Sequence, residues 1–205
     1  MTCILAWTDG QSVLLAGDSG GTKAAIKFRI KHSKVFLRTG EDKTIWGFGF
    51  TGSFTVAQIL QYTLALPSIS PKEDIRGIIV RDFIPEFQKL CDEANTIDDK
   101  GPDGKENAAE IIIAVRGKIF IVDVDFSVLE HDRPYCGLGN GSPYALGAFH
   151  QQLKKNPPQT PEDCQVLLWN AIATSTEFIT GIEEPFHIIS VPCPIIERRK
   201  TSRSK

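Results

Sequence analysis

Thr2 is the residue around which chemistry could be organised. It follows Met1, and a small second residue generally permits removal of the methionine, leaving a free α-amine on the residue that carries the hydroxyl. An α-amine with a pKa near ~7.7–8.0 accepts a hydroxyl proton at neutral pH, so nucleophile and base would share one residue. Asp9-Gly10 predicts a two-residue hairpin turn with Thr8 opposite Gln11, a register in which facing positions sum to 19. Thr2 then faces Gly17 and has the Asp18 carboxylate as its neighbour. Lys34 lies between Ser33 and Val35-Phe36 in a segment that should be buried, where an ammonium requires a partner. A lysine close to the amine would lower the amine's pKa by like-charge repulsion and keep it basic.

The elements that must position these groups follow from pattern. CILAW, SVLLAG, IKFRI, KVFL and TIWGFGF are rich in β-branched and aromatic residues and predict strands within Met1 to Phe50. Ser53 to Leu66 has apolar residues at helical spacing and ends at Pro67. Ser70-Pro71 predicts a second helix with Ser as N-cap, interrupted at Pro85. Thr96 to Glu106 is polar and reads as an exposed loop. AEIIIAV and KIFIVDVD form a hairpin across Arg116-Gly117, helices follow from Ser142 to about Lys155 and from about Pro161 to Phe178, and FHIISV is a last strand. Blocks of strands alternating with blocks of helices predict an α+β plan, antiparallel sheets with helices on their outer faces.

Composition narrows the function classes. The 205 residues fit a single domain over residues 1–196, with a basic tail at 197–205 holding five Lys/Arg against one Glu. The net charge of −2 gives no drive toward nucleic acid, and no apolar run approaches the ~18 residues of a membrane span. Nothing at Met1 to Gly10 resembles a signal peptide, and the five scattered cysteines form neither a disulfide framework nor a zinc pattern, which suits the cytoplasm. His32, His131, His150 and His187 have no metal-ligand spacing, so no metal or cofactor is expected. GLGNG at Gly137 to Gly141 lacks the third glycine of a dinucleotide loop and any Walker lysine.

Thr2 at the first strand, Asp18 in AGDSGGT and Lys34 opening KVF are separated by two intervals of sixteen residues. This trio, with GLGNGSPYALGAF and EFITGI later on, resembles the proteasome β-type subunits and N-terminal threonine peptidases. The short bacterial and phage proteasome-like proteins without a propeptide are the nearest branch. The resemblance implies a four-layer αββα sandwich in which Thr2 attacks the scissile carbonyl, its amine acts as base, and Lys34, paired with Asp18, tunes that amine. It implies further catalytic roles for Asn140, Glu177 and Thr180, an oxyanion donor in the backbone N–H of Gly52, and an extended substrate between Thr22 and Gly52. It also implies a side-chain pocket walled by Gly21, His32, Phe50 and Phe54 that favours apolar residues. The chain departs from the family pattern at Asn140 (serine), Glu177 (aspartate), Thr180 (serine) and Gly20 (arginine), and its Lys34 to Gly52 interval is longer.

The expected partners are peptide or unfolded protein as substrate, further copies of the chain in a homo-oligomeric ring, and a separate ATPase unfoldase. A silent assembly subunit of the same fold and an N-terminal-nucleophile amidase acting on small molecules are the alternative readings.

Overall fold

The computed structural model describes residues 1–23, 26–101 and 104–193; the expected basic tail at 197–205 lies outside them. One sheet is built from β1 (Ile4–Thr8), β2 (Ser12–Gly17), β12 (Tyr135–Leu138) and β13 (His187–Pro192), in the order β12-β1-β2-β13. A second takes β5 (Val35–Thr39), β6 (Ile45–Gly52), β9 (Ala109–Val115), β10 (Lys118–Val122) and β11 (Val128–Glu130), in the order β11-β10-β9-β6-β5. All pairings are antiparallel. Two-stranded ribbons join β3 (Gly20–Lys23) to β4 (Ile26–Arg29) and β7 (Ile97–Gly101) to β8 (Gly104–Asn107).

Strand alternation sorts the apolar residues into three layers. Ile4, Ala6, Val13 and Leu15 face Ile112 and Ala114 between the sheets. On the outer face of the first sheet, Leu5, Leu14 and Ala16 meet α4 (Ser142–Lys155) and α5 (Pro161–Thr176) through Ala145, Phe149, Leu168 and Ile172. On the outer face of the second, Phe48, Ile111 and Ile113 meet α1 (Phe54–Gln58), α2 (Ile75–Ile78) and α3 (Ile84–Glu93). The result is the four-layer αββα sandwich. Strands buried on both faces explain why their sequences read as continuous apolar runs. Gly47 and Gly49 permit the sheets to approach: a Cβ at these positions would lie 2.3 Å from Val191 and 2.8 Å from Ile4.

Local chemistry departs from the sequence reading at three places. The β1–β2 register pairs Ile4 with Gly17 and Thr8 with Val13, so facing positions sum to 21 and the turn has four residues. Asp9 causes this: its Oδ1 accepts from the N–H groups of Gln11 and Ser12 at 2.8 and 2.7 Å, an Asx turn that a two-residue loop could not contain. The two-residue turn occurs instead at Arg116-Gly117, both at positive φ, between the paired Val115 and Lys118. The second helix begins at Ile75 with Asp74 as N-cap, accepting from Gly77 N, rather than at Ser70-Pro71. Ser70 is held instead by Glu73 Oε2 in a turn of its own. The polar Thr96 to Glu106 segment supplies most of the β7–β8 ribbon rather than an open loop.

Pro85 stands in the first turn of α3, and a π-helical turn, Ile79–Phe83, joins that helix to α2 as the expected interruption. A second π-helical turn, Ile59–Thr63, ends the first helix, where the Arg38 guanidinium binds the Leu60 and Leu64 carbonyls. No helix of the described residues is long and apolar enough to cross a membrane.

Candidate active site

The register shift of two leaves every side chain on its expected face, because alternation has period two. Thr2 therefore still enters beside Asp18, and the backbone fixes the pair. Cys3 N–H donates to Asp18 Oδ1 at 2.9 Å, Gly20 N–H to Asp18 Oδ2 at 2.8 Å, and Asp18 N–H to the Cys3 carbonyl at 3.3 Å. Asp18 is fully buried.

Lys34 comes from the strand layer behind. Its carbonyl accepts from Phe50 N–H, which ties the start of β5 to β6. Its ammonium, with 1% of the side chain exposed, lies 2.9 and 3.0 Å from the two Asp18 oxygens and 3.0 Å from Thr2 Oγ1. A third contact, 3.0 Å, is to the Met1 carbonyl. Four oxygens from three residues surround the three N–H groups of this ammonium, so the buried cation is both paired and fully hydrogen-bonded. Burial pushes the Lys34 ammonium down from its ordinary 10.5, against the attraction of Asp18. The Met1 α-amine is likewise held below 8.0, first by burial and second by Lys34, with Asp18 opposing.

A cavity of about 250 Å³ opens over this cluster. Thr2, Lys34 and Asn140 lie along it, as do Gly20, Gly21 and Thr22 of β3 and Phe50, Thr51 and Gly52 of β6. Gly52 has φ +92° and a Cβ there would sit 2.3 Å from the Ala108 carbonyl, so the backbone at this corner of the cavity admits only glycine. Among the described residues β3 pairs only with β4, which leaves its other edge free for an extended chain.

Met1 also lines the cavity, with its amine donating to Thr22 Oγ1 at 3.1 Å. Nothing in the residue pattern signals this contact. Next to the cavity lies a second pocket of about 340 Å³, in which His32, Phe50 and Phe54 are joined by Phe28, Ile30 and Tyr62. Phe50 and Phe54 meet edge to face at 5.7 Å. Gly21 backs onto the Phe28 ring, which a Cβ would meet at 2.4 Å. Phe28 and Ile30 were missed as pocket residues, although their two-residue spacing in IKFRI puts them on one strand face.

The structure keeps Glu177 and Thr180 out of the cavity. Glu177 is the exposed C-cap of α5, and Thr180 is exposed beside Lys27 and Arg29 in a separate polar cleft. The buried hydroxyl of this region is Ser175, which donates to the Ile172 carbonyl at 2.6 Å and contacts Cys3 from behind. Backbone supplies the rest: Gly141 N–H donates to the Thr2 carbonyl at 3.1 Å, and Gly139 has φ +86° with a would-be Cβ 2.5 Å from that same oxygen. The described residues contain no group of three or more His, Cys, Asp or Glu arranged to hold a metal. Cys3 is no competitor as nucleophile, since burial pushes its thiol up to about 12.

No protein-family model matches the chain. No curated protein matches it either. Solved structures do. Thiobacillus denitrificans BPH in complex with epoxomicin superposes with a TM-score of 0.69 at 20% identity, covering 93% of this chain and 98% of that one. The eukaryotic HslV from Trypanosoma brucei gives 0.60 at 17% identity, covering 93% and 99%. The Anbu complex from Pseudomonas aeruginosa, described as a helical assembly, gives 0.66 at 11% identity, covering 93% and 81%. At these identities the likeness is one of fold.

Proposed function

We propose that this chain, which has the fold of the proteasome-like N-terminal-nucleophile hydrolases, is a threonine-type peptidase with Thr2 as nucleophile. The observation that carries the reading is the buried Lys34 ammonium held at 3.0 Å from Thr2 Oγ1 and paired with Asp18.

Once Met1 is removed, the Thr2 amine takes the Oγ1 proton as Oγ1 bonds to the scissile carbonyl carbon. Lys34 serves that step twice. Its positive charge lowers the amine's pKa and so keeps it unprotonated, and its hydrogen bond stabilises negative charge developing on Oγ1. The tetrahedral oxyanion is received by the Gly52 N–H. The C–N bond then breaks, the leaving amine takes the proton from the Thr2 ammonium, and water, deprotonated by the same amine, hydrolyses the ester. Asn140, on the cavity wall, can orient that water but has no hydroxyl to relay its proton.

An extended peptide lies along the free edge of β3 opposite Thr51 and Gly52, bound by main-chain hydrogen bonds. Its side chain next to the scissile bond enters the Phe28, Ile30, Phe50 and Phe54 pocket, whose walls suit an apolar residue. Val166 and Trp169, exposed on α5, support self-association, as does the assembly described for Anbu. We propose a homo-oligomer acting in the cytoplasm on peptides or on proteins unfolded by a separate ATPase.

The test is covalent. Intact mass should show Met1 absent, and a peptide epoxyketone, which needs an amine and a hydroxyl on one residue, should add once per chain and not at all to Thr2→Ala. A chain that retains Met1 throughout and takes no label is a silent scaffold, and equal labelling of Thr2→Ala would place the nucleophile elsewhere. Turnover of small amides with none of extended peptides would overturn the substrate assignment.

A further inference from the structure

A second cleft, about 360 Å³, lies outside the cavity over Thr2, between α4, β12 and Ile121 of β10. Its floor is apolar, from Ile121 of β10, Leu146 and Gly147 of α4 and the backbone of Gly137. Gly147 is exposed mid-helix with nothing within 4 Å of a would-be Cβ, so the helix leaves open the volume that a side chain would fill. Among the described residues β12 pairs only with β1, and the cleft lies along its other, open edge.

The polar side chains of the cleft carry no negative charge. His131, Arg133, Tyr135 and His150 line it, and among the described residues no carboxylate does. Asp132 lies nearby, 3.4 Å from His131 Nδ1, but points to solvent with 91% of its side chain exposed. Arg133 has no ion-pair partner among the described residues. Tyr135 is buried, packs edge to face on Phe149 at 5.5 Å, and its hydroxyl lies 2.6 Å from His150 Nδ1. A phenol is a better proton donor than a neutral imidazole, so Tyr135 donates to Nδ1 and the ring proton is carried on Nε2. The imidazole is thereby fixed as a donor beside a guanidinium that is charged at every working pH.

We propose that this cleft is a binding site for an organic carboxylate with an apolar body, the carboxylate held by Arg133 and His150 and the body lying on Ile121, Leu146 and Gly147. Its volume is that of small-ligand clefts, and apolar walls with a few convergent donors are the usual composition of such sites. The same chemistry is offered by a free aryl or alkyl acid and by the carboxyl terminus of a peptide. The site does not depend on the peptidase reading, because it shares no lining residue with the cavity over Thr2.

The test is a titration of the full chain, with 13C-labelled histidine, using four probes. These are 4-phenylbutyrate, its amide, N-acetyl-Leu-Phe with a free carboxylate, and the amide of that peptide. His150→Gln assigns the ring resonance. At least one acid should shift it saturably, with the matching amide weaker by about tenfold, as loss of a charge-assisted hydrogen bond requires. Arg133→Ala should weaken the acid by about tenfold and leave the amide unchanged. Gly147→Leu should remove binding of both, and circular dichroism will show that this surface variant is folded. Tighter binding of the peptide acid identifies a chain terminus as the ligand class, and tighter binding of phenylbutyrate identifies a free acid. The proposal is overturned if neither acid moves His150 at about 10 mM, if acid and amide bind alike, or if Arg133→Ala leaves the acid unaffected.

Discussion

Residues 2–34 bring side chains to the cavity over Thr2, whereas residues 139–181 bring mostly backbone. In the first stretch Thr2, Asp18 and Lys34 are buried, and their contacts of 2.9–3.0 Å close on one another. In the second, Gly139 and Gly141 support the Thr2 carbonyl while the side chains of Glu177 and Thr180 face solvent. The difference separates two tasks. On the peptidase reading, proton handling and charge are concentrated in one early hairpin and one strand, and the later segments set where that hairpin's first residue stands. A departure from a family pattern then has a different weight in each stretch: glutamate for aspartate at an exposed helix end costs little, but any change at Lys34 would strand a buried carboxylate.

Lys34→Met should therefore be the most damaging substitution. It leaves Asp18 buried and unpaired, and the denaturant midpoint should fall by the equivalent of about 3–5 kcal/mol. Peptidase turnover in whatever folded fraction remains should fall by at least about a hundredfold. A Lys34→Met chain as stable as the parent would break the comparison at its first member.

Gly139→Ala comes next. Forcing alanine to φ +86° with its methyl against the Thr2 carbonyl should cost about 1–3 kcal/mol by urea unfolding. Turnover should fall with it, although no proton-transferring side chain has been touched. A normal rate in this variant would show that backbone placement is less demanding than the geometry indicates.

A pH experiment sharpens the first stretch without catalysis. In the chain that keeps Met1, NMR titration of the α-amine should give a pKa below 8.0, and Lys34→Met should move it upward by removing the second of its two causes. The sign carries over to stability. Since the folded state holds the amine's proton less tightly than the unfolded state, this contribution is complete above 8.0 and is lost as pH falls through the lowered pKa. An unchanged amine in Lys34→Met would mean that burial acts alone.

The smallest effects belong to Glu177→Ala and Thr180→Ala, each expected to shift stability by less than about 0.5 kcal/mol. Turnover should stay within about twofold of the parent, a change too small for loss of a proton-transfer group. A loss of turnover comparable to that at Lys34 would show that late side chains enter the site during the reaction, and the division of labour would fail.

The layered fold was legible because strands buried on both faces and helices bounded by Pro leave strong marks at residue level. The Thr2, Asp18 and Lys34 cluster was legible because two strands and a period of two nearly determine it, and even the wrong hairpin register preserved the facing side. What escaped was local competition between polar groups. The Asp9 carboxylate took two backbone donors and lengthened a turn, and Asp74 outbid Ser70 as a helix cap. Glu177 and Thr180 were misplaced for a related reason: they follow the last regular turn of α5, where periodicity no longer says which way a side chain points. Met1 against Thr22 depends on a contact between distant segments, for which one sequence carries no signal.

That terminal contact has a practical consequence. With its amine on Thr22 and its carbonyl on Lys34, the initiator residue fills the space a substrate backbone would need and engages two of the groups that would receive it. Under the peptidase reading, specific activity then reports the proportion of trimmed chains in a sample. Preparations of identical purity from hosts with different aminopeptidase capacity would give different rates and the same Michaelis constant.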